Sequence, residues 1–198
     1  MYLKEETINT ITIEKSKFIC YMKHIKTETE FKDYLSSIKK KHYDASHVCS
    51  GFISNNIKRS NDDGEPSGTA GAPILNVLEK NSLNEMCAIV VRYFGGIKLG
   101  AGGLIRAYSN AVSQCLTAGI LVENVSYPKY EITLPYDIAN KLEHFIKNHT
   151  ILLDTKYDEN ITFVFALDDK DKINTIIEYT KGIKPNYTGE ENIEKIVE

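Results

Sequence analysis

The amino-acid sequence predicts an α+β protein in two parts, residues 1–126 and 127–198. Three observations carry this expectation. The second part reads as strand, helix, strand, strand, helix, strand, the order of a ferredoxin-like βαββαβ unit. The charge balance changes at the join: residues 1–126 hold 15 Lys/Arg against 13 Asp/Glu, a balance of +2, and residues 127–198 hold 9 against 14, a balance of −5. Eight of the twelve glycines fall between Gly64 and Gly103. Regular elements disfavour such density, so this stretch must be organised around special backbone geometry or close approach.

The elements follow in order. Thr10-Ile11-Thr12-Ile13 and Phe18-Ile19-Cys20-Tyr21-Met22 read as strands around a turn at Glu14-Lys15-Ser16. Thr27 with Glu30 forms a capping box for a helix. On it Phe31, Tyr34, Leu35, Ile38 and His42 recur at helical spacing, and Lys39, Lys40 and Lys41 suit its negative end. Residues 47–54 read as a third strand, and the polar residues 55–66 as a long connection. Pro73 sits near the start of a short helix carrying Ile74, Leu75, Val77 and Leu78. Cys87-Ala88-Ile89-Val90-Val91 is the unbroken apolar run of a strand covered on both faces. Leu104, Ala107, Tyr108, Ala111, Val112 and Cys115 mark the clearest helix, with Gly119 expected to end it at C′. Tyr127-Pro128 marks the expected boundary. Beyond it come an alternating strand (Tyr130, Ile132, Leu134) and a helix with Ile138, Leu142, Phe145 and Ile146. Two strands then flank the Asp158-Glu159-Asn160 turn, followed by a helix with Ile173, Ile176 and Ile177 and a closing strand at 193–197.

Composition excludes several classes. The 198 residues are 42% hydrophobic and 26% charged, enough for a packed core. No apolar run approaches the roughly 20 residues of a membrane helix, and the first residues lack the apolar centre of a signal peptide. A cytoplasmic location is therefore expected. Cys20, Cys49, Cys87 and Cys115 are widely spaced inside apolar segments, so they read as buried thiols rather than zinc ligands. The net charge of −3 argues against a bulk nucleic-acid coat and assigns any polyanion site to the first part.

Two segments carry candidate chemistry. Strand, glycine-rich loop and helix succeed one another between Cys87 and Cys115. A helix start offers unpaired N–H groups and a positive dipole end. Gly95, Gly96, Gly100, Gly102 and Gly103 would admit an anion to that backbone, with Arg92, Lys98 and Arg106 adding charge. Neither the P-loop nor the dinucleotide fingerprint is present, and a tight turn for close helix–sheet packing explains the same glycines. The second segment is acidic: Asp62, Asp63 and Glu65 beside Ser67 and Thr69. These side chains suit hydrogen bonding to a ligand, acid–base work or turn capping, but not a calcium loop. His24, His42 and His47 show no triad spacing. Tyr93 and Phe94 suit either the core or stacking on bases. No catalytic residue, metal or cofactor is assigned.

The same residues carry a resemblance. Asp62-Asp63-Gly64-Glu65-Pro66-Ser67-Gly68-Thr69-Ala70-Gly71 followed by Pro73-Ile74-Leu75 resembles the first signature of the IMPACT/YigZ family. Arg92-Tyr93-Phe94-Gly95-Gly96-Ile97-Lys98-Leu99-Gly100 with Gly102-Gly103-Leu104-Ile105-Arg106-Ala107-Tyr108 resembles the second. The resemblance covers residues 1–126, and the βαββαβ region resembles the small C-terminal domain of bacterial members. It implies an N-terminal domain similar to the second domain of small-subunit ribosomal protein five, and a C-terminal domain similar to domains of elongation factor G. Eukaryotic relatives restrain general amino-acid control by competing for the activator of a translation-initiation-factor kinase. They carry an N-terminal RWD domain for which this chain has no room, so that role does not transfer. The expectation is a non-enzymatic, translation-linked protein that binds RNA, the ribosome or a translation-associated protein through a glycine-rich cleft, with no membrane and no DNA partner. An enzyme acting on a phosphorylated small molecule or nucleotide, with Asp63 or Glu65 as base or metal ligand, is the first alternative. A pure protein-interaction module is the second.

Overall fold

A computed structural model describes residues 1–197. The chain is α+β and forms two compact units, Met1–Glu123 with the last residues from Ile196, and Asn124–Lys195. The first unit is built on an antiparallel sheet in the order β2 (Thr7–Ile13), β3 (Ser16–His24), β6 (Met86–Tyr93), β4 (His47–Ser54), β5 (Ile57–Asn61). Helix α1 (Glu28–Lys41) contributes to the core on one face, and α2 (Gly71–Lys80) and α3 (Gly100–Ala118) to the core on the other.

Strand parity divides the core between those faces. On β3, Phe18, Cys20 and Met22 join the α2–α3 side, while Ile19 and Tyr21 join the α1 side. On β6, Met86, Ala88 and Val90 face one way and Cys87, Ile89 and Val91 the other. The expected two-sided burial of that run is therefore observed. Burying each such side chain contributes roughly 1.5–3 kcal/mol, which makes β6 the axis of the unit. Arg92 continues the even-numbered row, and so a charge is carried into the α3 face.

Several local expectations are refined or corrected. Thr27 Oγ1 accepts from Glu30 N at 3.2 Å, as its capping role requires, but the Glu30 carboxylate accepts from Lys26 N, one residue before the cap. Residues 55–66, expected as a plain connection, contain β5, an edge strand exposed at every position. It lacks apolar alternation because its side chains meet the helices through charges, Lys58 with Glu79 and Arg59 with Glu28, and a tight turn with Asn55 at φ +50° pairs Ser54 with Ile57. Gly119 does not adopt the left-handed C′ conformation; its backbone is extended. A Cβ there would lie 2.4 Å from Leu3 Cδ2, so close packing explains the glycine.

A short strand β1 (Tyr2–Leu3) pairs with the start of β7 (Leu121–Leu134), which runs without a break through Tyr127-Pro128. In the second unit α4 (Tyr136–His149), β8 (Ile151–Tyr157), β9 (Ile161–Ala166), α5 (Lys172–Tyr179) and β10 (Asn186–Ile196) follow β7. The strand order β10-β7-β9-β8 is the ferredoxin-like arrangement. Ile132, Leu134, Leu142, Ile146, Phe163, Phe165 and Ile176 fill its core. Among the described residues no helix is long and apolar enough to cross a membrane.

Candidate functional site

The two glycine-bearing segments meet through one buried ion pair. Arg92 Nη1 donates to Glu65 Oε1 at 2.6 Å, and the two side chains are only 5% and 3% exposed. Tyr108, from α3, donates its hydroxyl to the same oxygen at 2.7 Å. Burial, then the neighbouring Cys49 thiol and Glu65, push the Tyr108 phenol far up, so it remains a donor. The Arg92 guanidinium lies 5.5 Å from the ring centroids of both Phe18 and Phe94. Its Nη2 reaches Ser16 Oγ only at 3.4 Å, and its Nε is buried with no acceptor. An orphaned donor of this kind is rare in a packed interior.

These groups border a cavity of about 430 Å³ lined by His47, Glu65, Pro66, Arg92, Phe94, Lys98 and the start of α3. That volume lies in the range of roughly 300–1,000 Å³ typical of small-molecule sites. Helix α3 begins without a side-chain cap: Leu99 occupies the N-cap position and forms no capping bond. Its first N–H groups are thus left for another acceptor. Gly100 has φ +69°, with nothing within 4 Å of where a Cβ would stand. His47 Nδ1 lies 2.9 Å from the Asp63 carbonyl oxygen. A carbonyl only accepts, so Nδ1 carries a proton, and the neutral form of the ring has its lone pair at Nε2. That atom is 3.8 Å from Glu65 Oε2.

The expected site residues divide. Glu65, Arg92, Lys98 and Gly100 share this cavity. Lys98 also lines a neighbouring hollow of about 690 Å³ with Gly103 and Arg106. Gly95 serves packing, because a Cβ on it would fall 2.0 Å from the Lys15 carbonyl carbon. Gly96 has φ +89° and open space, and the Cβ position of Gly102 faces only Arg106 Nη1 at 3.7 Å. Arg92, expected to add charge for an anion, is buried and paired with Glu65, because its position on β6 turns it under α3.

Most of the acidic segment holds its own loop. Asp62 accepts from the N–H groups of Gly68, Ala70 and Gly71 at 2.8–3.0 Å. Burial raises its carboxyl, yet those three bonds outweigh it and hold the group below the usual aspartate range. Burial likewise raises Asp63, but Lys39 at 2.6 Å and Val48 N at 2.7 Å bring it below that range. Thr69 Oγ1 donates to the Pro66 carbonyl, and Ser67 is exposed. Turn capping therefore accounts for Asp62, Asp63 and Thr69. Glu65 alone of the acidic residues reaches the cavity. Among the described residues no cluster of His, Cys, Asp or Glu could hold a metal ion.

His47 and Tyr108 were not assigned to the site from sequence. Tyr108 sits on the core face of the helix, and its hydroxyl gave no sign of its carboxylate partner. For His47 the one available signal was its place at the start of a strand next to the strand that carries Arg92, with which it is in register.

Comparison with known proteins agrees with this architecture. The Impact N-terminal domain model matches residues 14–116, which include both glycine-bearing segments and Arg92, Glu65 and Tyr108. The chain is 43% identical over 173 residues to the IMPACT family member YvyE of Bacillus subtilis, covering 85% of this chain and 80% of that protein. It is 41% identical over 136 residues to the IMPACT family member YigZ of Escherichia coli, covering 66% and 67%. A crystal structure described as that of a hypothetical protein aligns over 96% of both chains with a TM-score of 0.60 and 26% identity. The chain belongs to the IMPACT family.

Proposed function

We propose that this protein is a non-enzymatic, translation-linked regulator that binds RNA through the cavity at the start of α3. One observation carries the reading. The uncapped helix N-terminus and Lys98 converge on a single hollow that buried Arg92 also lines. Helix N-termini attract anions through free N–H groups and the helix dipole. Arg92 is neutralised by Glu65 and acts as the floor of this hollow, so Lys98 supplies its net charge, with Arg106 in the adjoining hollow that Lys98 also lines. Phe94, Ile97 and Ile105 are exposed around them, and an aromatic ring beside cations is a stacking platform for bases. The link to translation, and the ribosome as the setting of that RNA, come from the family resemblance.

The test is fluorescence anisotropy with a single-stranded RNA oligomer, and ribosome co-sedimentation, across a potassium chloride series. Affinity should fall steeply with salt, by a slope of about −0.7 per phosphate contacted. The Lys98→Gln, Arg106→Gln double variant should weaken binding and flatten that slope. Unchanged RNA and ribosome affinity in this variant would overturn the assignment. Stabilisation by one mononucleotide with Mg²⁺, without RNA binding, would favour the enzymatic alternative.

A further inference from the structure

Resting on the proposed RNA reading, we infer that the cavity distinguishes ribose from deoxyribose, with Glu65 Oε2 and His47 Nε2 accepting a hydrogen bond from a 2′-hydroxyl.

The cavity is chemically two-sided. Its α3 side offers only donors: Lys98 and the first N–H groups of the helix. Its β4 side offers acceptors. Glu65 Oε1 is saturated by Arg92 and Tyr108, whereas among the described residues nothing donates a hydrogen bond to Oε2. Oε2 and His47 Nε2 stand 3.8 Å apart, too far for a bond between them. The Asp63 carbonyl holds a proton on Nδ1, so the ring's neutral form has its lone pair at Nε2 and both groups can take a donor. A phosphate alone satisfies the donor side and is repelled by the carboxylate. A deoxynucleotide has no sugar hydroxyl at C2′ to offer. A ribonucleotide supplies both complements, a phosphate for the helix end and a hydroxyl that donates to the acceptor pair. The 2′-hydroxyl is the group by which proteins tell RNA from DNA. Burying an acceptor without its hydrogen bond is costly, so discrimination follows from the site's own unmet needs.

Anisotropy titrations of the full chain would compare four 12-mers of uracil nucleotides: ribo, deoxyribo, 2′-fluoro and 2′-O-methyl. The ribo-oligomer should bind roughly two- to ten-fold tighter than the deoxy form, the worth of the one hydrogen bond a 2′-hydroxyl can donate. The 2′-fluoro oligomer keeps the RNA-like sugar pucker but has no donor, so it should bind like the deoxy form, as should the 2′-O-methyl oligomer. His47→Ala should lower ribo affinity while leaving deoxy affinity unchanged, a ratio that a merely structural loss would not alter. Equal ribo and deoxy affinities, or 2′-fluoro binding as tight as ribo, would overturn the inference while leaving the RNA-binding reading intact. Binding of none of the four would overturn both. The modified oligomers need no variant, so the inference is exposed to failure even if His47→Ala does not fold.

Discussion

Replacing Glu65 by alanine should be among the most damaging single changes in the first unit. The carboxylate is 3% exposed and its Arg92 partner 5%, so solvent screening gives little relief. Without Glu65 the guanidinium stays buried with a 3.4 Å contact to Ser16, an orphaned Nε and two aromatic rings. Breaking a buried pair by removing one partner costs about 3–5 kcal/mol. Cation–π attraction to Phe18 and Phe94 offsets roughly 1 kcal/mol of that, and the stranded Tyr108 hydroxyl adds a penalty of about 1–3 kcal/mol. The net expectation is about 5 kcal/mol, a fall in midpoint of roughly 10–20 °C for a chain of this size. The chain has no tryptophan, so urea unfolding followed by far-ultraviolet circular dichroism is the suitable assay. Removing both charges, Glu65→Leu with Arg92→Met, should be less damaging than Glu65→Leu alone, because an apolar pair needs no hydrogen bonds. An alanine variant within about 1 kcal/mol of the parent, or a double variant equal to the sum of the singles, would refute the pair as the link between the two segments.

Glycine substitutions should separate packing from backbone conformation. Gly95→Ala must displace the Lys15 carbonyl that its Cβ would meet at 2.0 Å, whereas Gly96→Ala at φ +89° faces open space and costs only about 1–2 kcal/mol. Thermal unfolding should rank the first well below the second; the reverse order would contradict the packing role of Gly95. The depressed carboxyls of Asp62 and Asp63 contribute stability that is complete above their ordinary pKa of 3.8 and lost as pH falls through their lower folded values. Asp62→Asn should therefore reduce stability at neutral pH and flatten its fall below about pH 4, as measured by urea midpoints across an acid series. A parallel downward shift at every pH would argue against this linkage. Burial raises the Cys49 and Cys87 thiols, each to about 12, so both should resist a thiol-specific reagent until the protein unfolds. Rapid labelling of native protein would show that the core opens around them.

What the sequence revealed followed the reach of its periodicities. The unbroken run at residues 87–91, the helical spacing from Leu104 to Cys115 and the βαββαβ order each reflect burial against a whole layer, and a layer imposes a repeat. The edge strand β5 meets the helices through ion pairs of Lys58 and Arg59 rather than through apolar packing, and so left no apolar repeat to read. The acidic signature is a different case. Asp62 and Glu65 are neighbours of identical charge type, yet one holds a loop through three backbone N–H groups and the other enters the cavity. Nothing local separates them, because the difference is set by Arg92, 27 residues beyond Glu65. One clue to Arg92 was available. A strand buried on both faces gives every position a covered side, and residues 86, 88, 90 and 92 share one. A charge at the end of such a row must find a counter-charge underneath the covering helix, so Arg92 is a poor choice for a free phosphate contact and a good one for a buried pair. The carboxylate that answers it had to come from outside the sheet, and Glu65 is the acidic side chain that the Asp62-stapled loop delivers there. The acidic loop and the glycine loop are thus one device: Asp62 folds the first, Glu65 neutralises the strand that leads to the second, and Lys98 with the bare start of α3 carries the cavity's remaining positive charge.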